Sequence, residues 1–250
     1  MWHRPQLLNT LADLLFAAGA AMLLAALAVW VLRMPFAPIQ EVVLEAPLQH
    51  VHPLELEEAL QGRVRGNFLS LSLEGVRDAL EGLPWVRKAQ VRRVWPDRLI
   101  VKLEEHQPAA RWGDAGNEWV NTFGEVFAAT LPEQGDINLP LLKGPPGTAP
   151  QLLGRYSETL ELLQPVQLKP VAVLLSSRLA MSLQLDNGMV LALGREQSRS
   201  PARQRLQRFI EIYPVAVADR EPRPATVDLR YPNGFALYPA GTLPDNRGKE

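Results

Sequence analysis

The chain has 250 residues, a formal net charge of −1 and no cysteine. That balance gives no global electrostatic case for nucleic acid, and the missing thiols exclude disulfides, cysteine-ligated zinc and a cysteine nucleophile. Apolar residues make up 47% and prolines number 22, which points to folded domains with many turns and short elements, β-rich rather than a helical bundle.

Residues 1–13 form a short polar tail. Leu14 to Leu32, LLFAAGAAMLLAALAVWVL, then runs without a charge, hydroxyl, amide or proline. As a helix it covers about 28 Å, close to the ~30 Å hydrocarbon core of a bilayer, where every backbone polar group must be satisfied internally. Met34-Pro35-Phe36-Ala37-Pro38 stops it. A cleaved signal peptide is the alternative, since Arg4 precedes the run and Ala26-Leu27-Ala28 fits a small-x-small site. The apolar run continues through Val29-Trp30-Val31-Leu32, and Trp30 suits an interfacial belt, so an uncleaved anchor is the favoured reading. Flanking charge gives a weak lean to a cytoplasmic N-terminus.

Residues 39–44 read as a strand. Pro53 opens a helix at the position where its missing N–H costs nothing, and Gly62 stops it. Ser72 is the N-cap expected for a second helix, Leu73 to Glu81, whose Leu73, Val76, Leu80 and Leu83 follow a 3.6-residue period. Val86 to Val94 and Leu99 to Leu103 read as strands joined at Trp95-Pro96-Asp97-Arg98, the second with strict alternation. The order is β-α-α-β-β.

Farther on, Asn121-Thr122-Phe123-Gly124 reads as a turn between short strands, and a Gly/Pro loop, Pro140 to Pro150, leads into a helix, Gln151 to Leu163. Val171 to Leu175 and Leu179 to Leu185 are predicted strands, and Asn187-Gly188 predicts a hairpin to Met189–Leu193. Ser200 is the expected N-cap, with Pro201 at N1, of a helix bearing Leu206, Phe209, Ile210 and Tyr213, which Pro214 should close. Thr226 to Tyr231 and Phe235 to Tyr238 form a predicted last hairpin, and residues 240–250 read as a disordered tail. The whole reads as α+β with antiparallel pairing.

No catalytic constellation stands out. There is neither G-x-S-x-G nor S-x-x-K. His50-x-His52 lacks a matched third ligand, and His106 beside Glu104-Glu105 reads better as a strand end than as an acid–base cluster. The prolines of Gly144-Pro145-Pro146-Gly147 remove the amide donors a phosphate loop needs. Arg87, Lys88 and Arg92 lie on what reads as the wet face of a strand, or as a contact for anionic lipid or an acidic partner.

A β-α-α-β-β unit directly after a membrane anchor looks like a POTRA domain. Leu83-Pro84-Trp85-Val86, Val91-Arg92-Arg93-Val94-Trp95-Pro96-Asp97-Arg98-Leu99 and Ala109-Ala110-Arg111-Trp112 resemble the FtsQ/DivIB family of bacterial cell-division proteins, the FtsQ branch in particular. Leu142-Lys143-Gly144, Gly194-Arg195, Arg208 to Pro214 and Val227-Asp228-Leu229-Arg230-Tyr231 extend the resemblance. It implies a POTRA domain at 37–106 and a β-domain at 107–239, in a single-pass inner-membrane protein with its bulk in the periplasm, at the septum. It also implies a non-enzymatic divisome scaffold without cofactor or metal, partnered by FtsB and FtsL. By that resemblance Arg230, Tyr231, Asn233, Gly234 and Phe235 form the partner contact, with Arg87, Lys88 and Arg92 as a second candidate contact. A membrane-anchored peptidoglycan-processing enzyme and a POTRA-type protein-translocation module are the alternatives.

Overall fold

The computed structural model describes residues 5–33, 39, 41–45, 47–63, 68, 71–130, 138–218, 220–231 and 234–239. The chain divides into two compact units, residues 1–105 and 106–250.

In the first, α1 (Pro5–Arg33) contains a 22-residue stretch, Asn9–Trp30, long and apolar enough to cross a membrane, and its described side chains are exposed. Then come β1 (Glu41–Leu44), α2 (Pro53–Leu60), α3 (Leu73–Glu81), β2 (Val86–Val94) and β3 (Arg98–Glu105). The strand order is β1-β3-β2, with β1 parallel and β2 antiparallel to β3. Pro53 stands in the first turn of α2, and Ser72 Oγ accepts from Gly75 N–H to cap α3. The amphipathic face of α3 buries Val76 and Leu80 against the sheet, where Leu99, Val101 and Leu103 face inward at alternate positions. Val91 is only half-buried; β2, the strand that α3 lies against, turns Val86 and Ala89 inward instead.

A carboxylate ties the far end of this unit together. Glu105, last in β3, accepts from the backbone N–H groups of Gln49, His50 and Val51, and His50 stacks on Trp85 at 4.2 Å. Burial raises the Glu105 pKa, but the N–H groups of Val51, His50 and Gln49 outweigh it, so the net value is lowered.

The second unit holds β4 (Pro108–Trp112), β5 (Glu118–Asn121), β6 (Val126–Ala128), β7 (Leu141–Lys143), α4 (Ala149–Leu163), β8 (Pro170–Leu175), β9 (Ala180–Leu185), β10 (Val190–Arg195), α5 (Ala202–Ala216), β11 (Thr226–Asp228) and β12 (Ala236–Tyr238). They form one nine-stranded sheet, β12-β11-β10-β9-β8-β7-β4-β5-β6. The α+β reading holds, but the sheet is mixed: β10–β11, β4–β7 and β7–β8 pair in parallel. Parallel neighbours need a crossover rather than a tight turn, and α4 and α5 supply two of them, between β7 and β8 and between β10 and β11. Leu152, Leu163, Leu206 and Phe209 from these helices pack on Leu183, Leu191 and Val227 of the sheet.

Three local expectations are corrected. Ser200 does not cap α5; Glu196 Oε1 accepts from Ala202 N–H at 3.0 Å, and the N-cap position is Pro201. Pro214 does not close α5, which runs to Ala216, with the Val217 N–H reaching the Tyr213 carbonyl past the proline. The strand expected to run to Tyr231 ends at Asp228. The turn at Asn121–Gly124 is present, with Gly124 at φ +82° and so near Pro150 that a Cβ there would lie 2.7 Å from its Cα.

Leu80→Ala should destabilise the protein by about 2–5 kcal/mol, since the side chain is fully enclosed. Arg92→Ala, which breaks an exposed 2.9 Å pair with Glu45, should cost no more than about 1 kcal/mol in the same urea melts. Glu105→Gln should cost roughly 1–3 kcal/mol at neutral pH by orphaning part of the N–H cluster. Because the folded pKa is lowered, the Glu105 contribution is present above the unfolded value near ~4.3 and is lost as pH falls through the folded value. Melts between neutral and strongly acidic pH should therefore show a shallower acid limb in the Gln variant.

Candidate functional site

The C-terminal strands form one margin of the large sheet. β12 is its outermost strand among the described residues, pairing Thr226 with Tyr238, Val227 with Leu237 and Asp228 with Ala236. In an antiparallel pair a residue turns its N–H and C=O to the same neighbour. The Tyr238 carbonyl accepts from Ala225 N–H, so Tyr238 faces β11 and the Leu237 backbone points to the open side.

Beside that margin Asp228 is completely buried, and Arg230 covers it. Nε donates to Oδ1 at 2.8 Å and Nη2 to Oδ2 at 2.6 Å, while the Arg230 backbone N–H donates to Oδ1 at 3.0 Å. This forked pair is the strong form of a charged hydrogen bond, and it holds the guanidinium in one orientation. The Asp228 hydrogen bond raises the Arg230 pKa against the opposing effect of burial. Room for the arginine stem comes from Gly194, at φ +75°, where a Cβ would stand 2.8 Å from Arg230 Cγ.

The expected contact residues divide by environment. Tyr231 is 50% exposed, and its carbonyl lies 3.4 Å from Arg208 Nη1. Partial desolvation, then the charge and hydroxyl of Tyr231, raise the pKa of Tyr238. Phe235 instead packs into the core edge-on to Phe209, with ring centroids 6.4 Å apart. A methyl group added at Gly234 would meet open space. Asn233 lies outside the described residues.

Next to Arg230 the half-exposed face of β9, β10 and β11 opens into a groove of about 810 Å3 lined by Arg178, Ser182, Val190, Arg195, Thr226 and Arg230. Arg205, which also lines it, is buried and donates to the Arg195 carbonyl at 2.7 Å. Burial lowers its pKa, and Glu196 acts in the opposite sense.

The second candidate contact lies on β2, at one margin of the small sheet. Arg87 pairs with Glu104 at 2.8 Å and Arg92 with Glu45 at 2.9 Å, while Lys88 is exposed. His106 stacks on Phe127 and meets Asn121, and His50 is engaged with Glu105 and Trp85. Among the described residues no three metal-capable side chains come together.

Curated relatives match nearly the whole chain. The cell division protein FtsQ of Burkholderia pseudomallei is 36% identical over 96% of this chain and 95% of its own length. That of Bordetella pertussis is 37% identical over 98% and 96%, and that of Neisseria gonorrhoeae 31% over the full length of both. The chain belongs to the FtsQ/DivIB family. The family profile for the FtsQ-type POTRA domain matches residues 37–106, and that for the FtsQ/DivIB C-terminal region matches residues 110–230. The α+β architecture of an apolar N-terminal helix, a POTRA domain and a β-rich C-terminal unit is thus the FtsQ arrangement.

Arg230 and Tyr231 are candidates from the sequence, and the structure sets both beside the β12 margin together with Asp228, which the sequence did not single out as a site residue. Asp228 was legible only as a polar residue in an apolar strand; its spacing of two from Arg230 puts both on one side of an extended chain, which was the available signal. Arg178, Arg195 and Arg205 are distant in sequence and meet only through the β9–β10 pairing and the α5 crossover.

Gly194→Ala should strain the left-handed backbone and push Arg230 off Asp228. A loss of roughly 1–3 kcal/mol in urea melts is expected, against a gain of roughly 0.5–1 kcal/mol for Gly154→Ala, inside α4, whose added methyl meets open space.

Proposed function

We propose that this protein is a non-enzymatic, single-pass scaffold of the bacterial divisome in the inner membrane. Residues 1–13 lie in the cytoplasm, residues 14–32 span the bilayer, and a POTRA domain at 37–106 and a β-domain at 107–239 act in the periplasm at the septum. Its task is to link septal assembly to the FtsB–FtsL pair through protein contacts. FtsQ is a cell-division protein in all the named relatives, which supports the setting.

One observation carries the mechanism: an outermost strand, β12, whose Leu237 N–H and C=O point outward beside a clamped Arg230 and a half-exposed Tyr231. An incoming extended segment can pair with such a strand, and main-chain hydrogen bonds then supply affinity while flanking side chains supply selectivity. Tyr231 offers a rigid amphipathic anchor. The guanidinium edges of Arg230 not used by Asp228 suit an acidic residue on the partner. Phe235 packs against the core beneath the contact, Gly234 leaves open space beside it, and β2 with Arg87, Lys88 and Arg92 is a secondary docking strand.

Tyr231→Glu tests this reading. It should weaken capture of the FtsB-like partner by thirty- to a thousand-fold, or ~2–4 kcal/mol, in titrations of the purified partner, and abolish division function. The melting midpoint should stay unchanged, because half of the side chain is in solvent. Normal capture by a folded Tyr231→Glu protein would exclude the β12 margin as the site.

A further inference from the structure

We propose that the tip of the β2–β3 hairpin docks on the membrane surface from which α1 emerges, with Trp95 as its interfacial anchor. The proposal rests on α1 being an uncleaved membrane span. Within the POTRA-type unit, β1 and β3 run in the same direction, with Glu41 opposite Arg98 and a 2.9 Å ion pair between the two side chains. The strand that follows the anchor therefore begins at the same end of the sheet as the turn Trp95-Pro96-Asp97. Arg33, the last residue of α1, is eight Cα steps before Glu41, a tether of at most about 29 Å when fully stretched. The other end of the unit, with Glu105 and the loop it holds, lies a full strand away, about 23 Å along β3 from Arg98 to Glu105.

At the near end Trp95 is 81% exposed, whereas Trp85 in the same unit is 6% exposed. An indole has a large apolar ring and one N–H donor, which is the combination that partitions to the headgroup level of a bilayer. Charges around it are largely matched inside the unit. Arg98 pairs with Glu41, Arg92 with Glu45, and Arg93 donates to the Leu71 carbonyl. The attraction is thus carried by the indole rather than by anionic lipid, and should persist at high salt. The short tether raises the local concentration of membrane surface at the tip, so a single weakly partitioning side chain suffices to hold it there.

The absence of cysteine allows one reporter to be attached at a time. Full-length Asp97→Cys, Pro84→Cys and Ala18→Cys proteins, each carrying an environment-sensitive fluorophore, would be reconstituted in vesicles of zwitterionic and anionic phospholipids. Spin-labelled lipids, shallow or deep, serve as quenchers. The label at 97 should be blue-shifted and quenched by the shallow lipid, that at 84 should not, and that at 18 should be quenched by the deep one. Trp95→Ser in the Asp97→Cys background should abolish the quenching without moving the melting midpoint, and added salt should leave it in place. An unquenched label at 97 with a quenched label at 18 overturns the docking and leaves the anchor standing. An unquenched label at 18 removes the anchor and the proposal with it. Equal quenching at 84 and 97, quenching that survives Trp95→Ser, or loss of quenching in salt each overturns the assignment to Trp95.

Discussion

Covering only one face of the large sheet is the constraint on which the second unit depends. α4 and α5 bury their apolar stripes against Leu183, Leu191 and Val227, and each does so while returning the chain to a parallel neighbour. A crossover of this kind joins the helix layer to the strand order, so neither can change alone. The uncovered face keeps Ala180, Ser182, Val190, Ala192 and Thr226 half-exposed and leaves the groove beside Arg230. The same crossover after β10 brings β11, and with it Asp228, to the sheet margin.

The clamp at that margin follows from burial. A carboxylate with no solvent exposure must be paired, and here three donors from a single residue two positions on satisfy it. Arg230 is thereby fixed in the free protein. A guanidinium already held in place loses little side-chain entropy on binding, which favours the contact proposed above.

How much of this was legible in the sequence depends on the range of the interaction that decides it. Ser72, Pro53 and the Leu73–Leu83 period report local backbone preferences, and the structure follows them. Asn187-Gly188 marked its hairpin for the same reason, and β9 and β10 pair across it. The parallel pairings were not legible, because a helix between two strands has the same pattern whether the strands end as neighbours or not. Ser200 misled because Glu196, four residues earlier, reaches the α5 N-terminus first. Pro214 misled because a proline two residues from a helix end sacrifices only one bond there. For the candidate site, Arg230 and Tyr231 stand together in a recognisable stretch, whereas the burial of Asp228 depends on Gly194 of β10 leaving room for the arginine stem to lie over it.

The parallel pairing of β1 and β3 has a mechanical consequence. Tension between the apolar helix α1 and the C-terminal unit enters β1 at Glu41 and leaves β3 at Glu105, at opposite ends of two adjacent strands. Strands pulled this way slide along each other, so the hydrogen bonds between Glu41–Leu44 and their partners carry the load together instead of opening one by one. A hairpin pulled from its two open ends would unzip under far less force. The small sheet is thus wired into the chain as a shear clamp between the apolar N-terminal helix and the C-terminal unit.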